Sequence, residues 1–417
     1  MQKRSRERKL LLAAFLYTLT GGIILYLDDP GLPGLGAISA ACVMFAGFVV
    51  FSFTWQNRNA GFDPYIVPVI NVLAGTGIIF LFRLEPAYGY RQLAWLVISM
   101  AALYCTTLLG QRYRWLGEYK YLLALGGIIA LLLPVFVGVE MGGAKSWLDL
   151  RLFHWQPSEF VKLLLVLFLG SYLVENRVPW RSGGGRAYFL PGAQAWGPLL
   201  GMWLTALLVL VFQKDLGTAL IYFATFLAMV YVATARWLYI FGGVFLFIAG
   251  ATAAFFTVGH VHTRVAIWLN PWAEAQGAGY QIIQSLYAIK AGGLFGAGLG
   301  NGFPGFIPAV HTDFIFAAIC EEIGLLGGIA VLLLFIILVY RGFKIALAAR
   351  DDFAQITAAG FSALLGLQVF IIIAGVTKLL PMTGITLPYI SYGGSSLVAN
   401  FILAGMLLNI SAEADII

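Results

Sequence analysis

Charge is scarce in this chain. Asp, Glu, Lys and Arg make up 11% of its 417 residues, against about 25% in soluble domains, and a folded chain of this size could not cover its surface against water with so little polar material. Cysteine is scarcer still. Cys42, Cys105 and Cys320 all sit in apolar runs, with no CxxC pair or Cys/His cluster to build a disulfide framework or hold zinc. His154, His260, His262 and His311 also lack metal-ligand spacing. Disorder is excluded from the other direction, because disordered chains are poor in aromatics and this chain is 15% aromatic.

What the sequence does have is apolar length. The hydrophobic fraction is 61%, and it is gathered into continuous runs of about 20 residues, the length a helix needs to cross a bilayer. A membrane β-barrel would instead alternate over segments of about 10 residues. The fold class is therefore an all-α, polytopic membrane helix bundle. The net charge of +6 fits Lys and Arg held on the cytoplasmic side rather than a nucleic-acid partner.

Twelve spans are expected, at 10–27, 34–54, 64–82, 91–110, 119–139, 157–175, 190–212, 216–234, 237–259, 313–340, 353–377 and 386–410. The basic start MQKRSRERK before an apolar run would also fit a signal peptide. No small-residue cleavage site follows Leu27, where Asp28, Asp29 and Pro30 stand, so the first helix is expected to be retained. With the N-terminus in the cytoplasm, 16 of the 25 Lys and Arg residues fall on the inner side, eight fall on the outer side, and Lys162 stays inside a span. That imbalance predicts an N-in, C-in topology. The SGGGR tract at 182–186 reads as a flexible linker on the cytoplasmic side.

Two longer loops then face outward, 139–156 and 260–312. The second lies between spans 9 and 10 and contains NPW at 270–272. It also has Ile282, Ile283, Leu286 and Ile289 at helical spacing, which predicts a short amphipathic helix at the membrane surface. The glycines at 296, 298 and 300 follow no strand, so they read as sites of tight turning or close backbone approach rather than a dinucleotide fingerprint.

Ionisable groups inside spans are costly and usually face an interior or a wet cavity. In QPSEFVK, Glu159 and Lys162 are three apart and share a helix face, with Pro157 and Ser158 suited to the helix start. Asp215 begins the eighth span and Asp313 the tenth, with Glu321 and Glu322 two to three turns deeper. Glu159, Lys162, Asp215 and Asp313 all fall near the outer leaflet. Charge placement alone leaves two readings: salt bridges and caps that hold the bundle, or a cavity in which one carboxylate is a base and the cation meets an anionic substrate. SYGGSS at 391–396, placed within the last span, likewise reads as close helix packing or as room for a polar ligand.

The set QPSEFVK, KDLGTAL, GYQIIQSLYAI, HTDFIFAAICEEIG and LPMTGITLPYISYGGSS resembles the SEDS family, the RodA/FtsW/SpoVE-like proteins of shape, elongation, division and sporulation. The resemblance covers 63–410 with the motifs in order. It implies three regions: 1–60, a basic segment with two additional helices; 61–411, a ten-helix catalytic core carrying the loop 260–312; and 412–417, a cytoplasmic tail. The chain departs from the family pattern at two places. Ala309 stands where many members have a glutamate, and Glu274 and Ala275 replace an Asp-Pro pair.

By resemblance the chain is expected to be a peptidoglycan glycosyltransferase in the bacterial cytoplasmic membrane. It would polymerise lipid II at the outer face, among membrane lipids, beside a class B penicillin-binding protein transpeptidase. The family's essential aspartate falls on Asp313 as general base. The substrate cavity falls on Glu159, Lys162, Asp215 and Trp147, to which Arg264, Ser391 and Tyr392 are added. Lys162 and Arg264 are the candidates to meet the pyrophosphate, with another loop cation or a divalent cation as the alternative; no side chain is assigned as a metal ligand. Competing readings are a lipid II flippase or transporter, and a non-catalytic scaffold of the cell-wall machinery.

Overall fold

A computed structural model describes residues 2–28, 30–57, 61–151, 153–176 and 193–414. The predicted linker at 182–186 lies outside them. The helices, in chain order, are α1 (Gln2–Asp28), α2 (Leu32–Asn57), α3 (Ile66–Leu84), α4 (Pro86–Leu108), α5 (Trp115–Glu118), α6 (Lys120–Val137), α7 (Pro157–Glu175), α8 (Ala193–Phe212), α9 (Leu216–Thr234), α10 (Trp237–Thr257), α11 (Gly259–Leu269), α12 (Tyr280–Gly292), α13 (Ile315–Ala348), α14 (Asp352–Val376) and α15 (Gly394–Glu413). Each of the twelve predicted spans falls on one of these helices. Among the described residues ten helices are long and apolar enough to cross a membrane, or eleven if α4 is taken with the segment at Gly110–Glu118, from which it is bent by 91°. Gly197–Phe212 is a shorter apolar helix.

The chain divides into two compact units, neither continuous in sequence: 1–105, 251–341 and 368–404 form the first, and 106–250, 342–367 and 405–417 the second. At the centre of the first is α3. It is apolar on all sides and buried along nearly its whole length from Ile66 to Phe82, as expected of a helix with no polar stripe. The additional helices dock on it: Phe15 of α1 stacks on Phe45 of α2 with ring centroids 4.5 Å apart, and the hydroxyls of Tyr17 and Thr76 lie 3.0 Å apart in a hydrogen bond. Arg341 of α13 donates from Nε to Asp63 Oδ2 at 2.8 Å, and its guanidinium lies over the Tyr65 ring. In this pair the Asp63 side chain is fully buried.

In the second unit α10 is equally apolar but buries only Tyr239 and Gly243. Such a surface suits lipid, where an apolar face needs no protein cover. The stretch 139–156, expected only as a loop, folds into a small antiparallel sheet of β1 (Val139–Met141), β2 (Ala144–Asp149) and β3 (His154–Trp155). Lys145 N–H of β2 donates to the Gln213 carbonyl at 3.0 Å, and Gln213 Nε2 donates to the Leu131 carbonyl of α6 at 2.6 Å. The end of α8 is thereby fixed against both the sheet and α6.

The long loop 260–312 is more ordered than its composition implies. The amphipathic helix expected in it is α12, which buries Ile282 and Ile283 while Tyr287 and Lys290 face outward. A second helix, α11, occupies the start of the region read as loop. The last span also needs correction. Helix α15 begins at Gly394, so Ser391 and Tyr392 lie in a turn and not within a helix.

Candidate functional site

Asp313 sits in a tight turn just before α13. Its N–H and that of Thr312 both donate to the Ala309 carbonyl, at 3.2 and 3.1 Å. Ala309 itself has φ +53, an unusual conformation for a residue with a Cβ. The Asp313 side chain is half-buried. Burial pushes its carboxyl up to about 6, against the opposing pull of the Thr312 hydroxyl and the Arg264 guanidinium. A carboxyl at that level is mostly ionised at neutral pH and still basic enough to take a proton.

The segment between α14 and α15 forms one wall of this place. A Cβ on Gly384 would stand 3.7 Å from Asp313 Oδ2. Arg264, on α11, donates from Nη1 to the carbonyls of Met382 and Thr383, each at 3.3 Å. Ser391 Oγ donates to the Thr312 carbonyl at 2.5 Å and accepts the Leu387 N–H at 2.9 Å. Tyr392 N–H donates to the His311 carbonyl at 2.8 Å. The His311 ring stacks on Tyr88 with centroids 4.2 Å apart, and burial lowers the His311 imidazole below its ordinary range, so it is neutral at pH 7. Asp313, Arg264, Ser391 and Tyr392 thus come together in the first unit. The two serine and tyrosine residues act through the backbone of the turn that carries Asp313.

Glu159, Lys162, Asp215 and Trp147 belong to the second unit. Pro157 and Ser158 both fall in the first turn of α7 as expected, with Gln156 at the N-cap, and the buried Ser158 hydroxyl finds no partner among the described residues. Lys162 Nζ donates to Glu159 Oε2 at 2.5 Å, with both side chains largely buried. Asp215 caps α9, accepting the Thr218 N–H at 3.1 Å on Oδ1 and the Gln156 amide at 3.3 Å on Oδ2. Burial raises the Asp215 carboxyl above its ordinary range, opposed by the bonds from Thr218 and reinforced by the charge of Glu159. Tyr222 donates to the Ser158 carbonyl at 2.7 Å, which ties α9 to α7. Trp147, half-buried in β2, pairs with Val139 across the sheet. Among the described residues no three His, Cys, Asp or Glu side chains group as metal ligands.

Sequence reasoning missed three participants. Arg83, which lies just past the predicted span 64–82, ends the buried helix α3 and meets Glu322 at 3.1 Å. Its position at the close of a long apolar run was the available signal. Gln92 donates to the Ser391 carbonyl at 3.1 Å and accepts the Gly393 N–H at 3.3 Å, and nothing in the sequence marked it. Gly384 was hidden among the many other glycines of the chain.

Residues 70–416 match the family model described as cell cycle protein, FtsW/RodA/SpoVE. The peptidoglycan glycosyltransferase RodA of Mycobacterium tuberculosis is 39% identical, over 98% of this chain and 91% of its own. Stage V sporulation protein E of Bacillus subtilis is 41% identical, over 68% of this chain and 76% of its own. A chain from a peptidoglycan synthase complex, described as coordinating polymerization and crosslinking, superposes with a TM-score of 0.71 at 28% identity, covering 85% of this chain and 98% of that one. The crystal structure of Thermus thermophilus RodA superposes at 0.62 and 26% identity with the same coverage.

Proposed function

Because this chain belongs to the FtsW/RodA/SpoVE family, we propose that it is a peptidoglycan glycosyltransferase that polymerises lipid II, with Asp313 as general base. The observation that carries the assignment of the base is the Asp313 turn. A half-buried carboxylate stands beside Arg264 and looks across at Gly384, a residue with no side chain to fill the space between.

In this reading the C4 hydroxyl of an acceptor GlcNAc attacks C1 of a donor MurNAc. Asp313 takes the hydroxyl proton as the new glycosidic bond forms, worth about 10²–10⁴-fold in rate. The C1–O bond to the lipid pyrophosphate breaks with inversion, and the pyrophosphate leaves with the electron pair. Charge grows on that leaving group, so cations aimed at it favour the transition state. Arg264 is the nearer candidate. It uses Nη1 to hold the loop, while a guanidinium carries five N–H donors. Lys162 belongs to the second unit, where it is bonded to Glu159.

We place 61–411 as the catalytic core, 1–60 as an added helix pair and 412–417 as a tail. The orientation is N-in and C-in, in the bacterial cytoplasmic membrane, with the loop 260–312 and the Asp313 turn outside. The partner in this reading is a class B penicillin-binding protein transpeptidase. The test uses purified protein in lipid vesicles, supplied with lipid II, with and without that partner. Wild type is expected to make glycan polymer and Asp313→Ala none. Polymer from Asp313→Ala at the wild-type rate overturns the base assignment. Lipid II transport by wild type without polymer favours a flippase instead.

A further inference from the structure

Two carboxylates that the reaction does not use, Glu321 and Glu322, are buried on α13 in the same unit as Asp313. Their surroundings are unusual. The chain from 293 to 303 runs back along this stretch of helix, backbone against backbone. Ala297 N–H donates to the Glu321 carbonyl at 2.9 Å and Gly298 N–H to the Glu322 carbonyl at 3.0 Å. Helix α13 is broken at Gly324 (φ 81, ψ 177), so the amides beyond the break turn outward. Leu325 N–H reaches the Gly293 carbonyl at 2.9 Å and Leu326 N–H the Leu294 carbonyl at 3.2 Å. A Cβ on Gly296 would stand 2.2 Å from the Glu322 carbonyl oxygen, which is why the loop is glycine there.

The side chains complete the seam. Phe303 N–H donates to Glu321 Oε1 at 2.8 Å, and Gly300 N–H to Glu322 Oε2 at 3.2 Å. Arg83 donates from Nη2 to the carbonyls of Gly300 and Gly302, at 2.6 and 3.0 Å. Its Nε pairs with Glu322 Oε1 at 3.1 Å, bent away from hydrogen-bond alignment. One planar guanidinium therefore grips both the loop and the helix it runs along. The chain leaves the seam at Phe303, carries Asp313 around a hoop, and returns to the seam at Glu321.

We propose that Arg83 and Glu322 are positioning residues for the glycosyl transfer: they close the feet of the 303–321 hoop and so hold the Asp313 carboxylate in its reacting place beside Arg264. This rests on the assignment of Asp313 as base. Opening the feet lets the turn drift from the Arg264 guanidinium and from Gly384. Misplacement of a reacting group by about 1 Å costs on the order of 100-fold in rate. A lysine at 83 keeps the charge opposite Glu322, but it lacks the fork that spans a carboxylate and two carbonyls at once.

The experiment compares wild type with Arg83→Gln, Arg83→Lys, Glu322→Gln and the double variant R83Q/E322Q, as full chains with the transpeptidase partner in vesicles. Two readings are taken: the pH profile of kcat with lipid II, and amide hydrogen exchange over 303–313. The clamp predicts that kcat falls on the order of tenfold to 100-fold while KM stays within about twofold. It also predicts that the acid limb of kcat moves to higher pH, because the carboxylate has lost its neighbouring cation, and that exchange over 303–313 quickens. Arg83→Lys shows the same changes in smaller size, and the double variant is no worse than either single one. A loss of activity with an unmoved acid limb and unchanged exchange, in any of these variants, overturns the proposal. Asp313→Asn is assayed alongside. If it polymerises at the wild-type rate, the base assignment has failed, and the exchange over 303–313 still decides whether Arg83 and Glu322 hold the hoop.

Discussion

Gly384 stands across from Asp313: a Cβ built on it would lie 3.7 Å from Asp313 Oδ2, at ordinary contact distance, and its φ is +69. A methyl group there would not clash with the carboxylate. With Asp313 as the proposed base, it would narrow the approach of a sugar hydroxyl to that oxygen. Gly384→Ala should therefore lose polymerisation about tenfold or more, and the left-handed backbone should cost about 1–2 kcal/mol besides. Rate and melting temperature measured on the same preparation separate the two effects. A variant that melts lower but polymerises at the wild-type rate would show that substrate does not pass this position.

The acid limb of the wild-type pH profile should fall near pH 6, because burial holds the Asp313 carboxyl at about 6 and a base must be ionised to act. Below that pH the rate should drop about tenfold per unit. Stability runs the other way. The folded chain keeps the Asp313 proton up to about pH 6, whereas an unfolded chain releases it near the ordinary value of 3.8, so the site loses stability as pH rises between those values. Asp313→Asn should abolish this part of the pH dependence in thermal melts, and should not abolish expression.

Lys162 and Glu159 should behave as a unit. Each is largely buried and bonded to the other, so removing one partner strands a charge, typically at a cost of about 3–5 kcal/mol. Lys162→Met and Glu159→Gln should each melt well below wild type, and the double variant should recover much of that loss. A lysine needed for polymerisation beyond its pairing leaves the recovered double variant inactive. An active double variant would confine the pair to holding α7.

Several features were legible in the sequence because they follow from local chemistry. The apolar runs fixed the helices, since a backbone in hydrocarbon must satisfy its own hydrogen bonds. Helical spacing placed Glu159 beside Lys162, and the position of Asp215 at a span start foretold its cap on α9. Asp313 stood out because ionisable residues beside apolar runs are few.

What the sequence could not show depends on residues far apart in the chain. The start of α15 at Gly394, rather than earlier, follows from the turn in which Ser391 and Tyr392 bond to Thr312 and His311. Arg83 reads as one more cation beside a span until it is seen between Glu322 and the carbonyls of Gly300 and Gly302. By itself the sequence determined a helical membrane bundle, its motifs and the few charges that matter. Which of those charges are paired, which turn presents Asp313, and which glycine faces it were decided only by the tertiary structure. A charge's partner is set by distance in space, and neither composition nor helical period contains that distance.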